Sequence, residues 1–560
     1  MITLHQCLQQ SEILISILIG LSCLVSVVVA RTTAHSDNNI IGDASRKVLN
    51  WSLPLAASTV VAATRLLDGN YEPTTKLPNK DKSMTYRQDR GITKLVSLLP
   101  ELQSKFQEKG KKTLKKFTMA QVAEKCTVEE IWIIIDGRVY DITEYIDKHP
   151  GGSIVLKCMG GKDCTDVFAN YHQARIYKNM LPPFLIGEVT NMPVYPHVED
   201  FREVGQELLR RGLFETSPYY YRKLYTWLAS LFLTSLYLSL RCTSTTAHMM
   251  GALAMGAFWQ QFAGVGHDLG HSSISHNFYT DHYIGSLIGC MFMGISTAWW
   301  KRTHNTHHVV CNSIDGDPDI QHLPIMAVNP KILEKPYWST YHDRLMVMDR
   351  LAKFFVSYQH IIFFPLMMVA RFNLYAQSWI LIFSTHCKIY NRTIEAGACA
   401  FFLTWLLSLA LCMNTWAESV AWVMLSHAVG GLLHIQIVIS HWAMDIYHGS
   451  AYNGPDDEWY KMQLKTTMNV DCYEWMDFFH IGLQFQIEHH LFPMLPRHNL
   501  REARKLTKAV CRKHNIDYHE PSFFTALQET VDTLVVTAAK ARAGEKDVPN
   551  ILIDGLNAEG

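Results

Sequence analysis

The chain has 560 residues with 51 Lys and Arg against 51 Asp and Glu, so its formal net charge is zero. A basic excess, the usual mark of a polyanion binder, is absent, and nucleic acid is not expected as a partner. Hydrophobic residues make up 48% and charged residues only 18%, below the roughly 25% of an ordinary soluble domain, which points toward a membrane.

The length admits about three or four units of roughly 150 residues, which excludes a small binding module. Histidine stands out at 27 residues, and imidazole is the commonest metal-ligand side chain and a frequent proton carrier. The 13 cysteines run from Cys7 to Cys511 with no CxxC pair. Neither a disulfide framework nor a zinc ribbon is expected, and the reactive regions should face a reducing compartment.

In chain order, Ile13 to Ala30 is an uncharged apolar run between Glu12 and Arg31. A signal peptide, a signal anchor and a wrongly assigned start all fit it, although residues 1–12 lack the Lys or Arg of a signal n-region. From Thr32 to about Pro100 the sequence is polar and irregular, with Pro54, Pro73 and Pro78, and reads as a disordered linker or processed extension. The Lys-rich stretch from Lys105 to Lys116 reads as a solvated helix face.

Between Phe117 and Val189 the pattern becomes that of a compact α+β unit. Ile131 to Ile135 is a β-rich run, Asp136-Gly137 is a hairpin turn signal, and Arg138 to Thr143 resumes as a strand. From Tyr225 onward come the apolar runs Thr226 to Leu240, Met249 to Gly266, Ile284 to Trp300, Phe354 to Ala370, Ala396 to Met413 and Ser419 to Ser440. A membrane span needs about 20 apolar residues, so several are borderline. The pattern predicts two membrane hairpins, from the first and last pairs, with the two middle runs interfacial or half-buried. From Arg497 to Gly560 the chain reads as polar, helical at first and frayed at its end.

His149-Pro150-Gly151-Gly152 follows the strand pair, and His172 comes 23 residues after His149. A six-coordinate heme iron needs one imidazole on each side of the ring, and the glycines let the backbone turn close to the macrocycle. Such an iron has no vacant position and carries electrons rather than oxygen. The alternative for the four-residue motif alone is a tight surface turn. With the hairpin and His172 beside it, the segment from Phe117 to Val189 resembles cytochrome b5 of the kind fused to membrane desaturases. That resemblance implies heme b with His149 and His172 as axial ligands. Asp163-Cys164-Thr165-Asp166 departs from the family's usual Asp-Ala-Thr-Asp by one residue and leaves the ligands in place.

Three histidine clusters lie further along the chain. His267-Asp-Leu-Gly-His271 has the four-residue spacing that puts both imidazoles on one helix face. His304-Asn-Thr-His307-His308 offers three more, and Gln486-Ile-Glu-His489-His490 repeats the pattern with glutamine first. Each alone also reads as a satisfied core or surface cluster; three together at the ends of apolar runs are specific. Seven histidines exceed one zinc, which closes with four ligands, and suit two metals. Zinc has no redox chemistry, whereas iron accepts imidazole in an octahedral shell and activates oxygen. Asp268 and Glu488 adjoin ligands in sequence and should face away from them, which disfavours a carboxylate-bridged site. His427, His434 and His441 are seven apart, one face of a helix. His441 is the candidate extra iron ligand at its metal-proximal end; the other two, like His276, His282, His322 and His360, read as packing groups.

Even numbers of crossings between the clusters place all of them on the heme side of the membrane. Two electrons and O₂ would then remove hydrogen from an unactivated methylene, giving an alkene after a second hydrogen is lost or an alcohol if oxygen returns to the carbon. The residues alone leave both outcomes open.

The region from about Tyr220 to Arg501, with the heme domain, is similar to the front-end lipid desaturases. The resemblance carries over His267, His271, His304, His307, His308, His489 and His490 as ligands of two non-heme irons, with Gln486 close to the centre. It implies a small α+β heme domain at 113–195 and an all-α membrane domain with about four transmembrane helices at 215–510. These sit between the 1–112 segment and a polar 511–560 tail. Thr306-His-His-Val-Val-Cys-Asn312, Asp317-Pro-Asp-Ile-Gln-His-Leu-Pro324, Phe485-Gln-Ile-Glu-His-His-Leu-Phe-Pro493, Leu495-Pro-Arg-His-Asn-Leu-Arg501 and Arg371-Phe-Asn-Leu-Tyr-Ala-Gln-Ser378 look most like sphingolipid Δ8-desaturases. That likeness implies a C8–C9 double bond in the long-chain base of ceramide, NADH-cytochrome b5 reductase as electron donor, and the endoplasmic reticulum membrane with heme and boxes on the cytosolic face. The alternatives are a Δ6 or Δ5 desaturase of phospholipid or acyl-CoA chains, a lipid hydroxylase, and a non-catalytic membrane heme or metal carrier.

Overall fold

The computed structural model describes residues 114–543, apart from 128, 173, 386, 450–451 and 453–456. The apolar run from Ile13, the irregular stretch to Pro100 and most of the Lys-rich stretch lie outside the described residues, as do residues 544–560.

Strands β1 (Lys115–Phe117), β2 (Trp132–Ile135), β3 (Arg138–Asp141) and β4 (Leu185–Val189) form one sheet in the order β1-β4-β3-β2. The β1–β4 pair is parallel and the other two pairs are antiparallel. Asp136 and Gly137 join β2 to β3 with φ of 50° and 70°, the two left-handed residues a two-residue hairpin turn requires. The pleat sends alternate side chains to opposite faces. Ile134 and Val139 close a small core with Val122. Ile131, Ile133 and Ile135 belong to a larger core that continues through Val309, Trp459, Phe485 and Leu491. The sheet domain is therefore packed onto the helical domain rather than tethered beside it.

The helices that position the site are α1 (Pro196–Arg210), α2 (Pro218–Arg241), α3 (Thr245–Gly270), α4 (Thr297–Val309), α5 (Arg350–Phe383), α6 (Arg392–Ala410), α7 (Trp416–Gly430), α8 (Leu432–Val438), α9 (Gln486–Leu491), α10 (Leu500–His514) and α11 (Phe523–Ala543). Helix α1 clamps the sheet domain: Arg202 holds Asp166 through two bonds of 2.7 and 3.0 Å, and Phe201 stacks on Tyr460 at 4.8 Å. Ser217 and Ser244 cap α2 and α3 by accepting backbone N–H bonds, and these helices form an antiparallel hairpin.

Among the described residues three helices are long and apolar enough to cross a membrane: Arg350–Phe383, Arg392–Ala410 and Trp416–Val438. A fourth crossing arises if Phe278–Met293 and Thr297–Val309, bent by 106°, make one broken span. This redistributes the expected hairpins. The run from Phe354 is not half-buried filler but the middle of a 34-residue helix, while α2 and α3 are long but less apolar. The sequence run stops at Arg371 because a guanidinium reads as a boundary. In the fold Arg371 turns inward, donating to Tyr375 Oη at 2.6 Å and Met293 O at 2.8 Å over the face of Trp259. The helix therefore stays apolar outside.

Two further expectations change. The last apolar run is interrupted at Gly431, where a Cβ would lie 2.7 Å from Met367 O on α5, so the backbones meet there and the histidine seam is not one straight helix. The expected polar tail is ordered to Ala543. Helix α11 buries Ala526, Thr530, Leu534, Thr537, Ala538 and Ala541, a stripe of small residues at helical spacing that lets it approach α5 closely. Gln359 of α5 donates to Leu534 O at 3.2 Å.

Candidate functional site

His149 ends the 3₁₀ helix Thr143–Lys148 and His172 ends the helix Thr165–Tyr171. Their ring centroids are 6.0 Å apart, a separation that two metal–nitrogen bonds of about 2 Å plus the two ring radii reproduce. His149 Nδ1 lies 3.1 Å from Gly152 O and His172 Nδ1 lies 3.1 Å from Phe168 O. A carbonyl only accepts, so each Nδ1 carries the proton and each Nε2 is left to a metal. A Cβ on Gly151 would stand 2.8 Å from His149 Cε1, so only glycine leaves the ring where it is. Burial pushes both imidazoles down, His172 to about 4, which keeps them neutral as ligation requires. The pair fits a bis-imidazole heme.

The clusters converge from three stretches of chain. His267 is on the last turn of α3 and His271 caps it; His304, His307 and His308 are on α4; His489 and His490 are on α9. Helix α4 is fixed at its start by Ser296, and by Glu395 of α6, whose carboxylate accepts from Ala298 N at 3.1 Å. His267, His271, His304 and His489 present ligand atoms within 4.8 Å of one another. His307, His441, His490 and Cys311 form a second such group. His308 lies between the two, with its ring 4.5 Å from His304 and 4.0 Å from His490. Gln486 is buried on the first turn of α9, three residues ahead of His489.

The second group is supported through its Nδ1 atoms. His307 Nδ1 meets Asp317 Oδ2 at 2.8 Å and His490 Nδ1 meets Gln463 Oε1 at 2.8 Å. His441 Nδ1 faces Thr466 O at 3.4 Å and Cys311 Sγ at 3.5 Å. Such partners fix ring orientation and tautomer and leave Nε2 for a metal. The Nε2 atoms of His267, His271, His489 and His490 are buried with no hydrogen-bond partner among the described residues. Buried polar atoms are almost always satisfied, so four orphaned nitrogens in two compact groups are what a pair of absent metal ions would leave. Burial holds His441, His489 and His490 well below the usual imidazole range and raises the Cys311 thiol. These three imidazoles are thus neutral, whereas at His307 burial is outweighed by the Asp317 and Asp319 carboxylates, which raise the imidazole to about 9; the protonated thiol is a weak ligand beside them.

Neither Asp268 nor Glu488 joins the ligand groups, although Asp268 Oδ1 faces His267 Nδ1 at 4.0 Å. Asp268 accepts from Tyr221 Oη at 2.5 Å and Arg497 Nε at 2.8 Å, and Glu488 accepts from Asn469 and Tyr518, each at 2.7 Å. His427 Nδ1 donates to Val423 O and its Nε2 accepts from Tyr375 Oη, and His434 Nδ1 donates to Met367 O at 2.9 Å. Neither enters the ligand groups, nor do His276, His282, His322 and His360. Sequence reasoning missed the supporting roles of Asp317 and Gln463 and the place of Cys311. Asp317 and Cys311 lie in motifs that were visible; Gln463, inside the helix Trp459–Thr466, carries no sequence signal.

The two sites adjoin. Tyr171, next to His172, has its ring 6.5 Å from that of His308. Tyr460 Oη donates to Asp166 across the same junction at 3.2 Å.

A heme-type cradle docked on a histidine-lined helical domain is the architecture of a membrane desaturase with its own electron carrier. Residues 244–522 match the fatty acid desaturase family and residues 118–190 match the cytochrome b5-like heme/steroid binding domain. The chain belongs to the fatty acid desaturase family, in its cytochrome b5-fused form, and is a membrane-associated oxidoreductase. It is 37% identical over 432 residues to Delta(8)-fatty-acid desaturase 1 of Arabidopsis thaliana, covering 77% of this chain and 95% of that one. It is 35% identical over 432 residues to the acyl-lipid (9-3)-desaturase of Borago officinalis, with the same coverage of 77% and 95%. It is 37% identical over 359 residues to the Delta 8-(E)-sphingolipid desaturase of Kluyveromyces lactis, covering 63% of this chain and 61% of that one.

Proposed function

We propose that this desaturase introduces a C8–C9 double bond into the long-chain base of ceramide. The reaction balances as –CH₂–CH₂– + O₂ + 2 electrons + 2 protons giving –CH=CH– + 2 H₂O. A heme held by His149 and His172 would supply a one-electron couple, with NADH-cytochrome b5 reductase as its donor, at the endoplasmic reticulum membrane with the site on the cytosolic face. The observation that carries this reading is the convergence of seven imidazoles into two adjoining groups, with His308 between them, beside the bis-histidine cradle. The Δ8 names of relatives on both the plant and fungal sides support the position, and the sphingolipid name of the Kluyveromyces lactis relative supports the substrate.

Two non-heme irons fit the donor set: His267, His271, His304 and His489 would hold one, His307, His441 and His490 the other, with His308 between them and Gln486 nearby. When bound, such irons supply one-electron couples and open positions at which O₂ is reduced. The protein's own work is positional. Asp317 and Gln463 hold the Nδ1–H of His307 and His490, and the apolar helices bring the alkyl chain to the site and keep water out. The docked heme domain keeps the electron path short.

Expression in a yeast lacking Δ8-unsaturated sphingoid bases, followed by long-chain-base and fatty-acid profiling, tests the proposal. A new C8–C9 alkene in the long-chain bases is expected. Unsaturation confined to the acyl pool would instead support the alternative of a Δ6 or Δ5 acyl desaturase; the acyl-lipid name of the Borago relative speaks for that substrate class. Stoichiometric zinc without oxygen consumption would mark a non-catalytic carrier.

A further inference from the structure

A second polar cluster lies inside the helical domain, away from both ligand groups. Gln260 and Gln261 on α3, Gln436 on α8 and His480 are each at most 5% exposed. Their hydrogen bonds form one chain whose direction is forced. Gln260 Nε2 donates to Phe479 O at 3.0 Å, and Gln261 Nε2 donates to Phe478 O at 3.2 Å. Backbone carbonyls only accept, so these two amides cannot be reversed. Gln260 Nε2 therefore also donates to Gln436 Oε1 at 2.8 Å, and Gln436 Nε2 donates to His480 Nδ1 at 3.1 Å. His480 must then carry its proton on Nε2. At the other end Gln260 Oε1 accepts from Gln261 Nε2 at 2.8 Å. The chain finishes in one donor, His480 Nε2–H, and one acceptor, Gln261 Oε1, both buried with no partner among the described residues.

The cluster stands at a fixed distance from the proposed metal site. Gln260 and His267 are seven residues apart on α3, on the same helix face and about 10 Å apart along the axis. Ala263 lies between them and packs with Leu433, Ile437, Ile481 and Leu483, the apolar neighbours of Gln436 and His480. The His267 side chain itself is 23% exposed. Just before His480 the chain shows Tyr473 at 76%, Trp475 at 75% and Phe479 at 47% exposure, the exposed aromatics of a membrane–water boundary.

A buried donor and acceptor beside an apolar stretch of α3 are badly matched to an alkyl tail and well matched to a hydroxyl or an amide. We infer that Gln260, Gln261, Gln436 and His480 bind the polar head of the lipid and set which carbons reach the metal site. This rests on the sphingoid-base reading above and deepens it. An extended alkyl chain of bonds of about 1.5 Å advances roughly 1.3 Å per carbon, so C1 and C8 of a long-chain base are about 9 Å apart. That is the spacing between the polar cluster and His267 to within about one carbon. The ligand class is a chain with at least two neighbouring hydroxyl or amide groups at one end.

The test uses the full-length protein in yeast membranes, supplied with dihydroceramide and with its 1-deoxy analogue, and reads conversion and double-bond position by mass spectrometry. The wild type is expected to convert the deoxy analogue at least about tenfold less efficiently. In Gln436→Leu and His480→Phe that preference should collapse toward unity, with heme and iron content unchanged. A wild type indifferent to the missing hydroxyl would overturn the inference whether or not the variants fold. Variants that retain the full preference would also overturn it. A wild type that desaturates only fatty acyl chains would sink the substrate reading itself, and this inference with it.

Discussion

The two histidine sites are built in opposite ways. In the heme cradle both imidazoles are braced by backbone carbonyls three or four residues away, Gly152 for His149 and Phe168 for His172. In the histidine-box site the rings arrive from positions 267 to 490, and their braces are side chains from elsewhere, Asp317 for His307 and Gln463 for His490. A local motif supplies its own support, so one short stretch suffices to build the cradle. A non-local site depends on the packing of α3, α4 and α9 and on residues with no motif of their own, so it should be the more sensitive to distant change.

The largest expected effects separate the two sites. His308→Ala should abolish product while the reduced-minus-oxidised heme spectrum survives. His149→Ala should lose heme and activity while the protein is retained. Loss of the heme spectrum in His308→Ala, or of bound iron in His149→Ala, would mean that the sites fold as one unit rather than two.

An intermediate effect tests the braces. Asp317→Asn and Gln463→Leu should each lower metal affinity or activity by about 10 to 100-fold, read as bound iron and product yield, with heme content unaffected. If Gln463→Leu proves neutral, His490 is oriented by its neighbours alone.

A smaller effect tests the junction. Tyr171→Leu removes the ring that faces His308 and should slow reoxidation of the reduced heme in the presence of lipid and O₂ by about tenfold. Heme spectrum and iron content should stay unchanged. A rate equal to the wild type's would show that electrons leave the heme by another edge.

The smallest effect concerns pH. Glu458 faces His197 of α1 at 3.0 Å and accepts from the first amides of the helix that carries Gln463. Burial raises its carboxyl from 4.5 to about 7. Between those values the folded chain binds more protons than the unfolded one, so this group's stabilisation is complete below pH 4.5 and is lost as pH rises through about 7. Glu458→Gln should flatten that part of the melting-temperature profile. An unchanged slope would assign it to other groups.

Much of this was legible without coordinates because the signals are local. The Asp136-Gly137 hairpin, the His-Pro-Gly-Gly turn and the i, i+4 histidine spacings each depend on neighbours within a few residues, and each falls where the pattern implied. His441 was reachable by counting sevens back from the end of an apolar run, although the helix it was counted along is interrupted at Gly431. The misreadings came where a side chain's environment differs from its type. Arg371 looked like a helix boundary but is satisfied inside the bundle, and the small residues of α11 looked like a polar tail.

The sequence by itself determined the chemistry on offer: which residues can ligate, at what spacing, and that apolar helices surround them. Tertiary structure alone decided which imidazoles share a pocket, which side chains hold their second nitrogen, and that the heme domain rests against His308. Ligand type and helical period are properties of a few adjacent residues. Convergence depends on packing between segments as far apart as His267 and His489, and no local pattern encodes it.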